Sequence, residues 1–433
     1  MAFAYGSSVT MQRIRHNRLR YAVWALCALV LLCVTETGMA QTKVLSGYAR
    51  IRPVLRSARD DTPNNPGSIL FEPSSRYAEV FGLLHVNINY RKAKLFFQSR
   101  PRCEIENGRT KCNLYVDEGY LDVEAAPSTF LFGGRRNPVS GVANVANPTD
   151  FLGEDKKVDM TLDETERREL RKGVYLAGFQ RFFDNGSALS AAVAPQVKGL
   201  QDQKHRLQVK FAQTYPKIDT DVGIIGLVTG DRPGVGVNLS HTLNDATVLY
   251  TESALRRGRD RAVVDEGGTK IGEGDQDRHY FNGVAGGQYT FGSGVNLILE
   301  YLYDENGYSS GEWRDTRRFF RANTQALSTP AAAQAMANLA QGNVDIIDRD
   351  LLRRQYVFSR LNHPQWWGDT DSSLILLNNL DDGSYLLRGR MEKDVTDRIR
   401  AGIMAEYMTG KDGSEFGLRP WSKAVVVDLK IFF

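Results

Sequence analysis

The chain is poor in cysteine and histidine, and beyond its first forty residues it has no long apolar run. Four cysteines and six histidines occur among 433 residues. Five of the histidines (His85, His205, His241, His279 and His363) lie beyond residue 40, and none sits in a serine, cysteine or metal constellation. The composition therefore gives no basis for an enzyme and implies no cofactor. Without an uninterrupted apolar run of roughly 20 residues, membrane-spanning helices are excluded from that part of the chain. Charge of one sign is also missing: the formal net charge is +4, and Arg13, Arg15, Arg18 and Arg20 all fall in the leader. What remains is near neutrality and points to no nucleic-acid partner.

The first forty residues have their own logic. Four arginines precede an apolar stretch from Tyr21 to Val34, and Gly38 and Ala40 supply small side chains before Gln41. This is the pattern of a secretory signal peptide, with cleavage expected after Ala40. The domain reading is a leader at 1–40 and one β-barrel at 41–433, whose first strand begins too early to leave room for a plug. Cys27 and Cys33 lie in the leader and follow no small residue, which argues against lipid attachment. Cys103 and Cys112 flank Glu-Ile-Glu-Asn-Gly-Arg-Thr-Lys. In an oxidising envelope a pair around an Asn-Gly turn reads as a disulfide closing a hairpin; a metal site would need ligands that the neighbouring sequence lacks.

Period-two alternation dominates what is present. Eighteen strand-like segments are expected at 44–56, 77–90, 93–100, 113–123, 129–136, 172–183, 187–196, 204–214 and 219–229, then 235–242, 247–256, 279–291, 294–304, 351–361, 372–379, 384–393, 398–408 and 423–433. Short connections alternate with long ones, as they do when one rim of a barrel carries turns and the other carries loops. Two connections strain that rule: 362–371, with Trp366 and Trp367, is long for a turn, and Asp381-Asp382-Gly383 is short for a loop. Val80, Leu84, Val86, Ile88 and Tyr90 share one uncharged face, as do Val295, Leu297, Leu299, Tyr301 and Tyr303. Short helices are expected in two external loops, over 160–172 with Thr161 as cap and over 329–341 with Pro330 near its start.

The last ten residues, Ala-Val-Val-Val-Asp-Leu-Lys-Ile-Phe-Phe, put Val425, Val427, Leu429, Ile431 and Phe433 on one apolar face. This segment resembles the closing strand of bacterial outer-membrane β-barrels. The resemblance implies an all-β, transmembrane antiparallel barrel of about 18 strands, located in the outer membrane among its lipid and lipopolysaccharide. It also implies recognition of Phe433 by the barrel-insertion machinery. Phe132-Gly-Gly-Arg-Arg-Asn-Pro, with the Asn-Pro-rich stretch to Leu152, is similar to porin-like barrels grouped loosely with alginate exporters. That likeness implies a loop dipping toward the lumen, with Arg135, Arg136, Asn147 and Asp150 near a constriction; an ordinary external loop is the competing reading.

By alternation Arg50, Arg52, Arg56, Arg388, Arg390, Arg398, Arg400 and Lys430 face inward on neighbouring strands, joined less directly by Lys94 and Arg100. Such a stripe would line a pore and favour anions; alternatively its charges pair across strands and only hold the wall together. The expected function is an outer-membrane channel for passive passage of small hydrophilic solutes, with a preference for anions. The alternatives are an exporter of an anionic exopolysaccharide and a non-conducting barrel that scaffolds envelope partners.

Overall fold

The computed structural model describes residues 41–153, 164–230, 232–349 and 351–433. The leader, Thr161 and Asp231 lie outside these residues. The sheet strands are β1 (Gln41–Ala58), β2 (Arg76–Tyr90), β3 (Ala93–Glu106), β4 (Arg109–Ala126), β5 (Thr129–Arg136), β6 (Val174–Phe182), β7 (Ser187–Ala194), β8 (Arg206–Tyr215) and β9 (Thr220–Thr229). They continue as β10 (Gly234–Asn244), β11 (Thr247–Arg257), β12 (His279–Thr290), β13 (Asn296–Asp304), β14 (Gln355–His363), β15 (Thr370–Asn379), β16 (Tyr385–Thr396), β17 (Ile399–Thr409) and β18 (Trp421–Phe432). Each pairs antiparallel with its sequence neighbours, and β1 pairs with β18 in the register Tyr48↔Phe432, Arg50↔Lys430 and Val54↔Val426. The sheet is thus an 18-stranded closed ring.

Alternation dictates which side chain meets which solvent. On β18, Val425, Val427 and Ile431 are exposed on the outer wall, while Ala424, Val426, Asp428 and Lys430 are buried inside. Val228 (64 % exposed), Leu299 (53 %) and Ile403 (52 %) carry the same outer face around the ring. A continuous apolar exterior of this size has no stable existence against water and marks a surface whose solvent is hydrocarbon.

Connections follow the expected parity. One rim has short turns, such as Arg91–Lys92 between β2 and β3 and Asp397–Arg398 between β16 and β17. The other rim carries the long connections. The connection expected at 101–112 is instead mostly strand: β3 and β4 run on to an Asn107–Gly108 turn, both residues at positive φ (49° and 72°). There Cys103 and Cys112 sit directly opposite each other and form a disulfide.

Among the described residues three α-helices belong to the loop rim: α1 (Glu164–Glu169), α2 (Ser310–Ala326) and α3 (Ala332–Gly342). The second was not expected from the sequence. Its Ser309 and Glu312 form a reciprocal capping box, and Trp313, Phe319 and Phe320 bury one face. With Leu339, Ile346, Ile347, Leu352 and Leu418 they make an apolar cluster of the external connections.

Candidate functional site

The wall opens inward after β5. Gly134 holds φ 129°, and a Cβ there would lie 2.4 Å from the Gly119 carbonyl oxygen, so only glycine permits the strand to bend this close to β4. The chain beyond Arg136 then leaves the sheet. Its backbone between Gly141 and Thr149 is irregular and so cannot satisfy its own N–H groups; two wall carboxylates do so. Glu252 of β11, fully buried, accepts from the N–H groups of Val142 (2.9 Å), Ala143 (3.3 Å) and Thr149 (2.8 Å), and from the Thr149 hydroxyl (2.7 Å). Glu300 of β13 accepts from the N–H groups of Asn144 (2.7 Å) and Val145 (2.8 Å) and from the Tyr250 hydroxyl (2.6 Å). Ala143 and Val145 bury against Tyr250, Val284, Ile298 and Tyr356. Since β5 and β13 stand eight strands apart in an 18-strand ring, the segment crosses the lumen.

Of the four residues expected near the constriction, Asn147 and Asp150 act as fasteners. Asn147 donates to the Ala143 carbonyl (2.8 Å), closing a local turn, and the buried Asp150 carboxylate accepts from Arg171 at 2.6 Å.

The same connection returns to the opposite wall through α1. Glu166 reaches Arg50 (3.3 Å), Arg390 (3.3 Å) and Lys430. Burial acts to raise the carboxyl pKa of Glu166, but Arg50, Arg390 and Lys430 outweigh it and hold the group down at about 2. Tyr48 donates to Glu169 (3.2 Å), Gln98 donates to the Glu169 carbonyl (2.8 Å), and Arg167 donates to the Asn144 carbonyl (2.9 Å), tying both inserted pieces together.

The inward basic residues on β1, β16, β17 and β18 do lie side by side, interleaved with carboxylates. Arg50 is bound by Asp428 (2.9 Å), Arg52 by Glu79 (3.4 Å), Arg388 by Glu406 (3.1 Å) and Arg400 by Asp394 (2.7 Å), while Arg390 meets Glu392. Arg56 stacks between Tyr77 and Trp421. Lys94 rests over Phe96 and faces Asp122 in register, and Arg100 pairs with Asp117 at 3.0 Å. Arg136 lies over Phe132 and Tyr120. Two residues depart from the expected lumen wall. Arg135 alternates with the outward Leu131, lies over the Tyr175 ring and donates to the Gly173 carbonyl (3.0 Å). Arg398 is exposed in the turn between β16 and β17, because the strand begins one residue later than its alternation suggested.

Two cavities lie toward the turn rim beneath the inserted loop. One, of about 250 Å³, is lined by Arg360, Arg388, Arg390 and Arg400 with only Asp371 and Glu392 as acids, and by Asn362, Ser372 and Ser373. The other, of about 470 Å³, is roofed by Asn137 to Ser140 and lined by Arg136, Gln180, Ser190, Gln208 and Lys210. Arg360 was missed in the sequence, although it shares the inward alternation of Tyr356 and Phe358. The loop-fastening roles of Glu166, Glu252 and Glu300 were missed too; inward placement was readable for the latter two, but their long-range partners were not.

No family model matches the sequence, and no curated protein is similar to it at the level of sequence. Solved structures are similar in fold. OccK5 (OpdH) of Pseudomonas aeruginosa superposes with a TM-score of 0.52 at 9 % identity, covering 90 % of this chain and 98 % of that one. OprD of Pseudomonas aeruginosa gives 0.51 at 9 % identity (90 % and 95 %), and OccAB1 of Acinetobacter baumannii gives 0.52 at 8 % (90 % and 96 %). Together with the closed ring, the apolar exterior and the loop folded into the lumen, these similarities give the chain the fold of the outer-membrane porins.

Proposed function

We propose that the protein is an outer-membrane channel that passes small hydrophilic solutes down their gradients, with a preference for anions. The observation that carries this reading is the cavity in which four arginines meet two carboxylates. Most charges of the inner wall pair off and contribute little net field, Arg388 with Glu406, Arg390 with Glu392 and Arg400 with Asp394 among them. Arg360 joins them in this cavity with no ion pair of its own among the described residues and leaves an excess of positive charge where a solute crosses the turn rim. In a confined space such an excess concentrates anions and repels cations. Planar guanidinium forks suit carboxylates and phosphates in particular. The crossing loop narrows the lumen above and sets the size limit.

Planar-bilayer recording tests both halves of the proposal. The expected result is a discrete conductance with a reversal potential displaced toward the anion equilibrium, and a shift toward cations in the variant Arg360→Gln/Arg400→Gln. Folded protein without conductance would refute the channel; unchanged selectivity in the variant would remove these arginines from the mechanism.

A further inference from the structure

The exposed face of α2 carries charge of one sign. Arg314, Arg317, Arg318 and Arg321 recur at the spacing of one helical face, and all four are exposed, Arg314 and Arg318 with 67 % and 52 % of their side-chain surface. The remaining exposed residues of the helix are Ser310, Ala322 and Gln325, so no acid balances them on that face. Asp315 is buried beneath the face, 3.3 Å from Arg318 and 3.9 Å from Arg314, and Glu312 is committed to the capping box and to Arg259.

The position of the helix decides what this face can meet. Thr324 donates to the Pro63 carbonyl (3.2 Å) in the connection after β1, while Arg318 donates to the Glu266 carbonyl (3.0 Å) in the connection after β11. Trp313 donates to the Gly413 carbonyl (2.9 Å) between β17 and β18. The connections after β1 and β11 are rooted eight strands apart, so α2 lies over the barrel mouth and away from the lipid headgroups at the rim.

We propose that this arginine face docks a linear acidic polysaccharide, a sugar chain bearing carboxylates at a regular spacing, on the external side of the barrel. One exposed guanidinium–carboxylate contact is weakened by water and salt and holds a single small anion too loosely to retain it. Four cations spread over roughly 10 Å of helix, one to two per 5.4 Å turn, instead match a chain whose charges recur about every 5 Å, and the contacts then act together. The proposal does not rest on ion selectivity in the lumen, which the reversal potential reads independently.

The test is calorimetric titration of the detergent-solubilised full-length barrel with a polygalacturonate decamer. Galacturonic acid, neutral dextran and a DNA oligonucleotide of equal charge serve as comparisons. The decamer is expected to bind at least about tenfold more tightly than the monomer, to weaken with added salt, and to lose at least about tenfold in affinity in Arg314→Gln/Arg317→Gln/Arg321→Gln. Arg318 is left intact because it bonds the neighbouring connection. Retained heat-modifiable gel mobility and unchanged potassium chloride conductance verify that the variant barrel is folded. Equal decamer binding by the variant, monomer binding as tight as the polymer, or tighter binding of DNA would each overturn the proposal.

Discussion

Removing the carboxylates that fasten the crossing loop should convert a fixed constriction into a mobile one. In Glu252→Ala/Glu300→Ala the N–H groups of Val142, Ala143, Asn144, Val145 and Thr149 all lose their acceptors. A hydrogen bond to a charged group contributes about 1.5–3 kcal/mol, but water in the lumen can replace most of it, and Ala143 and Val145 stay packed on Tyr250 and Tyr356. A net loss of roughly 3 kcal/mol from the inserted state is a conservative sum, and it raises the population of the displaced loop by about 150-fold. Single-channel recording should show larger mean conductance and new flicker between levels, with the conservative Glu252→Gln/Glu300→Gln pair intermediate. Conductance and noise identical to the parent, in protein that still runs as a folded barrel, would refute the assignment of this loop as the constriction.

Two further outcomes follow from the same geometry. Glu166 titrates at about 2 in the folded protein against 4.5 for a free glutamate, so its contribution, on the order of 3 kcal/mol, is fully present above pH 4.5 and is lost as pH falls toward 2. Hydrogen exchange of α1 should therefore accelerate across that window and be fast throughout in Glu166→Gln; pH-independent protection would contradict it. Gly134→Ala should lower thermal stability by more than about 1 kcal/mol and reduce the folded yield, because the added methyl meets the β4 backbone at a φ that alanine avoids. An unchanged melting temperature would show that β5 relaxes instead.

The strands were legible because lipid enforces a period of two with no charge allowed on one face. That held from Val80 to Tyr90 and again from Val425 to Phe433, and the loop parity checked the count. Legibility stopped where that constraint stops. The upper parts of β3 and β4, with Glu104, Glu106, Arg109 and Lys111, stand where polar residues are free to occupy both faces, so the alternation faded although the strands continue. Helix α2 hid in an arginine-rich stretch, although Ser309 and Glu312 offered a capping signal. Alternation located Arg50, Arg390 and Lys430 on the inner wall, but Glu166 comes from a connection more than a hundred residues from each of them, a pairing that no local pattern encodes.

The lid of helices over the mouth also constrains the order in which the molecule can be made. Asn64 after the first strand meets Asn343, and Arg59 binds the backbone of Met408 just before the last. The Arg59 contact bridges the two ends of the ring, and the Asn64 contact ties the first connection to the one after β13, so both come within reach only as β1 meets β18. Completion of the lid therefore reports closure of the seam, and a protease added from outside during biogenesis would find the segment from 305 to 354 vulnerable until that moment and resistant afterwards.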